Sequence, residues 1–159
     1  MSDPSSPSPG SRQISSEHFQ RLERMYASAP ISAWFGASIA IDEGRATVTI
    51  PVKAEFFHAA SGVHGSVYFR ALDDAAFFAV SSIVDDVFVL TSSFNIYFVR
   101  PVSSGVLTAE GRLTQASSRV YLAESIVRGS DGKVLGQGSG SFMKSNVSLT
   151  SISGYASPL

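Results

Sequence analysis

Two consecutive carboxylates, Asp73 and Asp74, lie inside a long apolar stretch of the sequence. Between Ser66 and Val80, only these two residues, Ser66 and Arg70 clearly prefer water. A carboxylate is costly to place in apolar surroundings, so the pair is expected to have a bound partner or a function. A carboxylate of this kind can align a water molecule as a general base, or it can attack a carbonyl carbon directly.

The turn before this stretch, residues 60–65, contains Gly62 and Gly65. Glycine lets backbone N–H groups approach another group closely. If a helix begins here, its first N–H groups have no partner within the helix and carry positive partial charge. The Gly65 N–H is therefore a candidate donor to a carbonyl oxygen that becomes negative, with a plain helix-entry glycine as the alternative. For His64, fixing the turn by hydrogen bonding is favoured over direct catalysis.

The apolar stretch itself predicts a helix. Neither Gly nor Pro occurs between positions 66 and 80, and the stretch is too long for an ordinary strand. Because it is apolar on nearly every side, we expect this helix to be buried. Asp73 and Asp74 would point about 100° apart on it. Arg70 precedes them by three and four positions, so it can pair with either carboxylate but does not neutralise both.

Composition limits the possible classes of protein. The 159 residues are of one-domain length, 44% are apolar, and the net charge of −1 does not indicate nucleic-acid binding. Zero cysteines exclude disulfides, cysteine-ligated zinc and cysteine nucleophiles. The three histidines lack the spacing of a metal site, and no serine lies on a recognisable nucleophile elbow. With neither a secretory signal nor an apolar run of membrane-spanning length, we expect a cytoplasmic protein without a membrane partner.

The order of elements along the chain predicts a single packed domain between two tails. Residues 1–13 are rich in Ser and Pro and predict a disordered tail, and residues 145–159 predict a C-terminal tail. Within the domain, residues 14–144, we expect a short helix that begins near Ser15, a hairpin, a loop and the buried helix. The strands of the hairpin are predicted at 34–41 and 45–52, the loop at 53–63, and the four later strands at 87–99, 106–115, 120–128 and 134–143.

The strand predicted at 87–99 has a regular alternation. It places Phe88, Leu90, Phe94, Ile96 and Phe98 on one face, and Thr91, Ser93, Asn95 and Tyr97 on the other. The four later strands are expected to follow one another in antiparallel succession. Small residues at 136–141 suit a strand that bends closely around something bulky. A curved antiparallel sheet is then the element available to wrap the buried helix, which gives an α+β fold.

This layout resembles the hotdog fold, and within it the PaaI-like acyl-CoA thioesterases of the 4-hydroxybenzoyl-CoA thioesterase superfamily. The resemblance rests on His64-Gly65 at the helix start, on Asp73 nine positions after His64, and on the strand that ends in Arg100-Pro101. It covers roughly residues 34–144. It implies hydrolysis of an acyl-CoA thioester, with coenzyme A as part of the substrate and no separate cofactor or metal.

The resemblance also implies roles for individual residues. Asp73 is the functional carboxylate, and Asp74 is the structural partner of Arg70. Thr91 occupies a position where relatives often carry a Ser or Thr that helps to hold the water, although a Thr on a strand face is also explained by β-propensity.

Two positions depart from the family pattern. Ser66 replaces the second glycine at the helix start, where we assign it to the CoA-binding residues. His58 replaces an amide in the preceding loop, and it either hydrogen-bonds the water or thioester or is a solvated loop residue. Arg100 is a candidate contact for the CoA phosphates, with a solvated strand-end arginine as the alternative.

Distance along the helix predicts the assembly. Nine residues at about 1.5 Å each separate His64 from Asp73 by roughly 13 Å, so one chain cannot bring both ends to one carbonyl. A second, antiparallel subunit would supply the missing half. This agrees with the resemblance, which implies a homodimer, or a homotetramer formed as a dimer of dimers, with shared active sites.

Two other functions remain open. A catalytically silent hotdog protein would bind acyl-CoA without needing Asp73. Hydratase or dehydratase chemistry usually pairs a His with an acid in motifs that this sequence lacks. The acyl group is not specified, since the aromatic residues near the helix start could line an apolar pocket or form the core: Phe56, Phe57, Tyr68 and Phe69.

Overall fold

A computed structural model describes residues 14–157. The tail predicted at 1–13 lies outside the described residues. The helices are α1 (Ser16–Ser28), α2 (Pro30–Phe35), α3 (Gly65–Ser81) and α4 (Ser153–Ala156). The strands are β1 (Ser38–Asp42), β2 (Arg45–Pro51), β3 (Val87–Phe98), β4 (Val106–Ala116), β5 (Val120–Arg128) and β6 (Val134–Ser148).

The six strands form one antiparallel sheet in the order β1-β2-β4-β5-β6-β3. Of the last four strands, β4, β5 and β6 pair in antiparallel succession as predicted, but β3 differs, because it lies at the sheet edge beside β6 and not beside β4. The chain after β3 stays bonded to the start of β6, where the N–H groups of Val99 and Arg100 donate to the Leu135 carbonyl. It then crosses the end of the sheet, where the Val102 carbonyl accepts from Val63 before β4 begins.

Helix α3 packs against the inner face of this sheet, as the apolar stretch predicted. Its sheet-facing residues are fully buried, namely Ala71, Leu72, Ala75, Ala76 and Ala79. The closest approach is at Gly111 of β4, where a side chain would overlap the backbone of Ala75. The α+β arrangement of a curved antiparallel sheet around a buried helix is therefore confirmed.

The small residues of β6 also have the predicted reason. The ring of Phe94 on β3 lies directly over Gly138 and Gly140, and a Cβ at Gly138 would be 2.6 Å from that ring. A larger side chain at either glycine would displace the ring. The glycines therefore let β6 lie close to β3 under this ring.

The segment at 34–41 differs from the predicted strand. Pro30 begins the short helix α2 instead of only ending α1, since proline suits the first turn of a helix. Gly36 ends α2 in the left-handed conformation, with φ of 65°, and β1 begins at Ser38. The hairpin itself is confirmed, with Ser38 opposite Thr49 and Asp42 opposite Arg45.

The packed part of the chain extends beyond residue 144, the boundary expected from the sequence. Strand β6 continues to Ser148, and Leu149 and Tyr155 are buried. Arg24 of α1 donates to the carbonyls of Gly154 and Tyr155, which ties α4 to α1. The serine-rich composition did not predict this packing, because only two buried apolar side chains and hydrogen bonds to backbone carbonyls hold the segment in place. Within residues 14–157, no helix is both long and apolar enough to cross a membrane.

Candidate active site

The two carboxylates of α3 face different neighbours, as their spacing on a helix requires. Asp73 faces β3, where the Thr91 hydroxyl donates a hydrogen bond of 3.0 Å to its Oδ1 atom. Asp74 faces α1, where Tyr26 donates a hydrogen bond of 3.0 Å to its Oδ2 atom. The Nε atom of Arg70 lies 2.8 Å from the same Oδ2 atom. The structure therefore pairs Arg70 with Asp74 and leaves Asp73 with a neutral partner.

An irregularity in β3 brings Thr91 to Asp73. Thr91 pairs with Phe142 and Phe94 pairs with Gly140, so the two residues lie on the same face although they are three apart. The register shift between Thr91 and Ser93 leaves one residue unpaired and reverses the alternation. The prediction that Thr91 and Phe94 lie on different faces of the strand was therefore wrong.

Asp73 opens into a cavity of about 330 Å³ between α1, α2, α3 and β3. Its walls are mostly apolar and include Ile31, Phe77, Phe78, Phe88 and Leu90. Burial raises the pKa of Asp73 to about 6, opposed by the hydrogen bond from Thr91 and reinforced by the charge of Asp74. A carboxylate with this pKa is ionised at neutral pH and is a stronger base than an ordinary aspartate.

The aromatic walls of this cavity were missed from the sequence, which named four other residues as candidates. Phe56 is buried against Phe35, and the partly exposed Phe69 packs edge-on against Phe94. Phe57 also packs against the main core. The available signal was helical spacing, since Phe77 lies one turn after Asp73 on α3.

Asp74 has the partners of a structural ion pair. Burial raises its pKa, and the Arg70 guanidinium and the Tyr26 hydroxyl oppose that rise. The side chains of Arg70 and Asp74 are only 14% and 19% exposed, so water screens the pair weakly.

At the other end of α3, His64 caps the helix. Its Nδ1 atom accepts the Ser66 N–H at 3.1 Å and lies 2.8 Å from the Ser66 hydroxyl. Because Nδ1 is the acceptor, the ring proton of a neutral His64 is on Nε2. The Ser66 N–H is thus used within the protein, whereas the Gly65 N–H donates to no acceptor among residues 14–157. Gly65 is the first helical N–H that an outside oxygen could take.

A second cavity, of about 310 Å³, lies at this end of α3. Gly65, His58 and Arg100 line it together with Tyr68 and Phe98. The hydroxyl of Tyr68 donates to the Arg100 carbonyl at 3.1 Å, which fixes the strand end beside the helix start. Phe98 covers Gly65 so closely that a Cβ there would be 3.0 Å from its ring. Glycine at this position therefore also has a packing reason.

His58 is held in its loop from two sides. Its Nδ1 atom accepts the Ala60 N–H at 3.1 Å, and its Nε2 atom would lie 3.1 Å from a Cβ at Gly62. Gly62, the first of the two turn glycines, therefore makes room for this ring. With Nδ1 occupied, Nε2 is the atom that remains for a ligand.

The predicted site residues thus form two separate groups. Asp73 and Thr91 are together, and His58, Gly65 and Arg100 are together, but no residue within 14–157 lines both cavities. In the part of the chain that the structure describes, no three His, Asp or Glu side chains are grouped to hold a metal ion.

Comparisons with known proteins agree with this architecture. Residues 60–135 match the family described as the thioesterase superfamily. A protein of Saccharolobus solfataricus that is named as a candidate esterase is 31% identical over 104 residues, which cover 65% of this chain and 74% of the relative.

Solved structures show the same fold. The E. coli PaaI protein of the phenylacetic acid degradation operon superimposes with a TM-score of 0.78 at 22% identity, over 86% of this chain and 99% of that chain. A phenylacetic acid degradation-related protein from Ralstonia eutropha superimposes with a TM-score of 0.71 at 24% identity, over 79% of this chain and 98% of that chain. From the family match and the archaeal relative together, the chain belongs to the thioesterase superfamily, and it has the hotdog fold of the E. coli PaaI protein.

Proposed function

We propose that the protein hydrolyses an acyl-CoA thioester to the free acid and CoA. Membership of the thioesterase superfamily supports hydrolysis of a thioester in general. The observation that carries the proposal for this chain is Asp73, which lies in an apolar cavity with a hydroxyl partner and a pKa raised to about 6. These are properties of a general base that works near neutral pH.

In the proposed reaction, Asp73 takes a proton from a water molecule while the water oxygen attacks the thioester carbon. The carbonyl oxygen becomes negative and accepts the Gly65 N–H at the start of α3. The tetrahedral intermediate then collapses, the carbon–sulfur bond breaks, and the CoA thiolate leaves with the proton that Asp73 had taken. Thr91 orients the carboxylate throughout. Direct attack by Asp73 to form an anhydride is the alternative, with water entering in a second step.

The distance between the two groups supports a shared site. Asp73 lies eight positions after Gly65 on α3, which is about 12 Å along the helix axis. An Asp side chain cannot span that distance. In an antiparallel pair of subunits, Gly65, His58 and Arg100 of one protomer would meet Asp73 and Thr91 of its partner.

The edge of the sheet supports the same pairing. Strand β3 is 12 residues long, and on its outer side its backbone has no neighbouring strand within residues 14–157. Large apolar side chains on and after it are more than half exposed, namely Leu90, Tyr97, Phe98 and Val99. An exposed edge of this length offers a row of unpaired backbone groups to which another chain can pair. We therefore propose a homodimer through β3, which can associate further into a dimer of dimers.

Coenzyme A is assigned to the end of the site formed by the start of α3. Arg100 carries the positive charge that suits a CoA phosphate, and Ser66 is an exposed residue in the first turn of α3. His58 lines the same cavity, and its Nε2 atom is proposed to hydrogen-bond the thioester or the water. No separate cofactor or metal is part of the proposal, and the cytoplasm is the proposed location.

The test is hydrolysis of a panel of acyl-CoA thioesters by the purified protein. The chain contains no cysteine, so a thiol reagent reports only the CoA that is released. Acyl groups of increasing length and with aromatic rings would show which of them fit the cavity beside Asp73. Binding of acyl-CoA with no thiol release would establish the non-catalytic alternative. Release that is unchanged by Asp73→Asn would refute the proposed mechanism.

A further inference from the structure

Asp73 and Asp74 lie near the same cation, and the structure gives this cation to Asp74. Arg70 Nε is 2.8 Å from Asp74 Oδ2, whereas the hydrogen-bond partner of Asp73 is the hydroxyl of Thr91. On a helix, a side chain can reach residues three or four positions away, so the spacing permits Arg70 to pair with either carboxylate. The choice must therefore be made by groups outside α3.

Those groups come from α1 and α2. Tyr26 donates to Asp74 Oδ2 at 3.0 Å, and a terminal nitrogen of Arg70 donates to Ser32 Oγ at 3.0 Å. The Arg70 guanidinium also lies 5.6 Å from the ring centroid of Tyr26 and 5.1 Å from that of Phe35, within the range of cation–π attraction. These contacts hold the ion pair against α1 and α2.

We propose that Asp74 is the counter-ion that keeps Arg70 from pairing with Asp73, and that Tyr26 holds Asp74 in this position. The inference rests on the proposed function, in which Asp73 is the base. Asp74 and Tyr26 are then positioning residues, which act through Asp73 and not on the reacting atoms.

The consequence for Asp73 follows from elementary electrostatics. A carboxylate beside an uncompensated arginine holds its proton less tightly and is a weaker base. The charged groups that act on Asp73 are Asp74 and Arg70, both on α3, and Tyr26 of α1 is the titratable group beyond them. Strand β3 contributes the neutral Thr91 hydroxyl. With Asp74 in place, the negative charge of Asp74 opposes the lowering effect of Arg70 on the pKa of Asp73.

The test compares Asp74→Asn with the double variant Asp74→Asn/Arg70→Gln. The titration of the Asp73 carboxyl is followed by carbon-13 NMR, with Asp73→Asn used for assignment. In Asp74→Asn the midpoint should fall by about one pH unit or more, because an unpaired guanidinium is left nearby. The acid limb of kcat/KM should shift equally, and the rate at pH 7 should fall about 10-fold. In the double variant, the midpoint of the Asp73 titration and the rate should both return toward the wild-type values.

Rescue by the second substitution is the outcome that a merely structural role of Asp74 does not produce. An unmoved Asp73 titration in Asp74→Asn, or a double variant as slow as the single one, overturns the proposal. Tyr26→Phe keeps the ring and removes the hydroxyl, so it should move the titration in the same direction by less. If Asp74→Asn does not fold, Tyr26→Phe decides, and no shift there counts against the proposal.

A matched control is available on α1. Glu17 and Arg21 form an exposed ion pair with the same four-residue spacing, at 2.6 Å, and Glu17→Gln should change neither titration nor rate. The NMR titration does not depend on turnover. Failure of the proposed function, seen as full activity of Asp73→Asn, is therefore distinguishable from failure of the counter-ion role, seen as an unmoved titration.

Discussion

The hydroxyl of Thr91 donates a 3.0 Å hydrogen bond to Asp73, and this contact joins the edge strand of the sheet to the central helix. It stabilises the ionised carboxylate and opposes the effect of burial on its pKa. The contact also occupies Oδ1 of a carboxylate that lines the cavity, so Oδ2 is the oxygen that remains for a ligand. Thr91 therefore influences both the basicity and the orientation of Asp73.

Replacing Thr91 by Val should shift the pH dependence of hydrolysis. Loss of the hydrogen bond removes stabilisation of the charged form, so the pKa of Asp73 rises above about 6. The acid limb of kcat/KM then moves to higher pH, and kcat falls roughly 10-fold because the carboxylate is less well oriented. Thr91→Ser, which keeps the hydroxyl, is the control and should retain the wild-type profile. An unchanged profile in Thr91→Val would show that the contact does not affect the base.

Asp73→Asn should lower kcat by about 100-fold or more while the fold is kept, which is the usual scale for the loss of a positioned base. Asp74→Asn should reduce turnover less, because that residue acts through its neighbour. Thiol release measures turnover, and circular dichroism checks the fold of each variant. If both variants are folded and Asp74→Asn is the slower one, the two roles are reversed.

Asp73→Asn should also stabilise the protein at neutral pH. Burial raises the pKa of Asp73 from the ordinary value of 3.8 to about 6. The folded state therefore holds this proton more tightly than the unfolded state does. The stability from this group is complete below pH 3.8 and is lost as the pH rises through about 6. At pH 7 the ionised carboxylate costs roughly 2–3 kcal/mol.

Asp73→Asn removes that cost, so its free energy of unfolding at pH 7 should exceed that of wild type by up to about 2 kcal/mol. Near pH 4 the two proteins should be similar. Urea unfolding at both pH values provides the measurement, with the exposed Asp42→Asn as a control that changes little. A variant that is less stable than wild type at pH 7 would contradict this balance between stability and function.

Mixing two inactive variants should restore activity if the site is shared. Asp73→Asn lacks the base, and Gly65→Val places a side chain against Phe98 at the other end of α3. A mixed dimer would contain one site with both defects and one intact site. Its activity should reach up to about half that of wild type if the two sites act independently. No recovery after proven subunit exchange would mean that each chain builds its site alone.

Local sequence signals were sufficient to predict the central helix, its start and the position of Asp73 along it. A run without Gly or Pro, apolar on nearly all sides, specified a buried helix, and His64-Gly65 marked its start. The position of Asp73 along it followed from counting residues. These predictions succeeded because helix formation and burial depend on residues close together in the chain.

Only the tertiary structure decided which groups meet these residues. Thr91 reaches Asp73 because an unpaired residue in β3 reverses the alternation of side chains, and alternation alone had placed it on the other face. Arg70 pairs with Asp74, as expected, but the Tyr26 hydroxyl that donates to the same carboxylate comes from a distant helix, and no sequence signal indicated it. Strand pairing, bulges and contacts between distant segments depend on the packing of the whole domain. Their cause is therefore not contained in any short stretch of sequence.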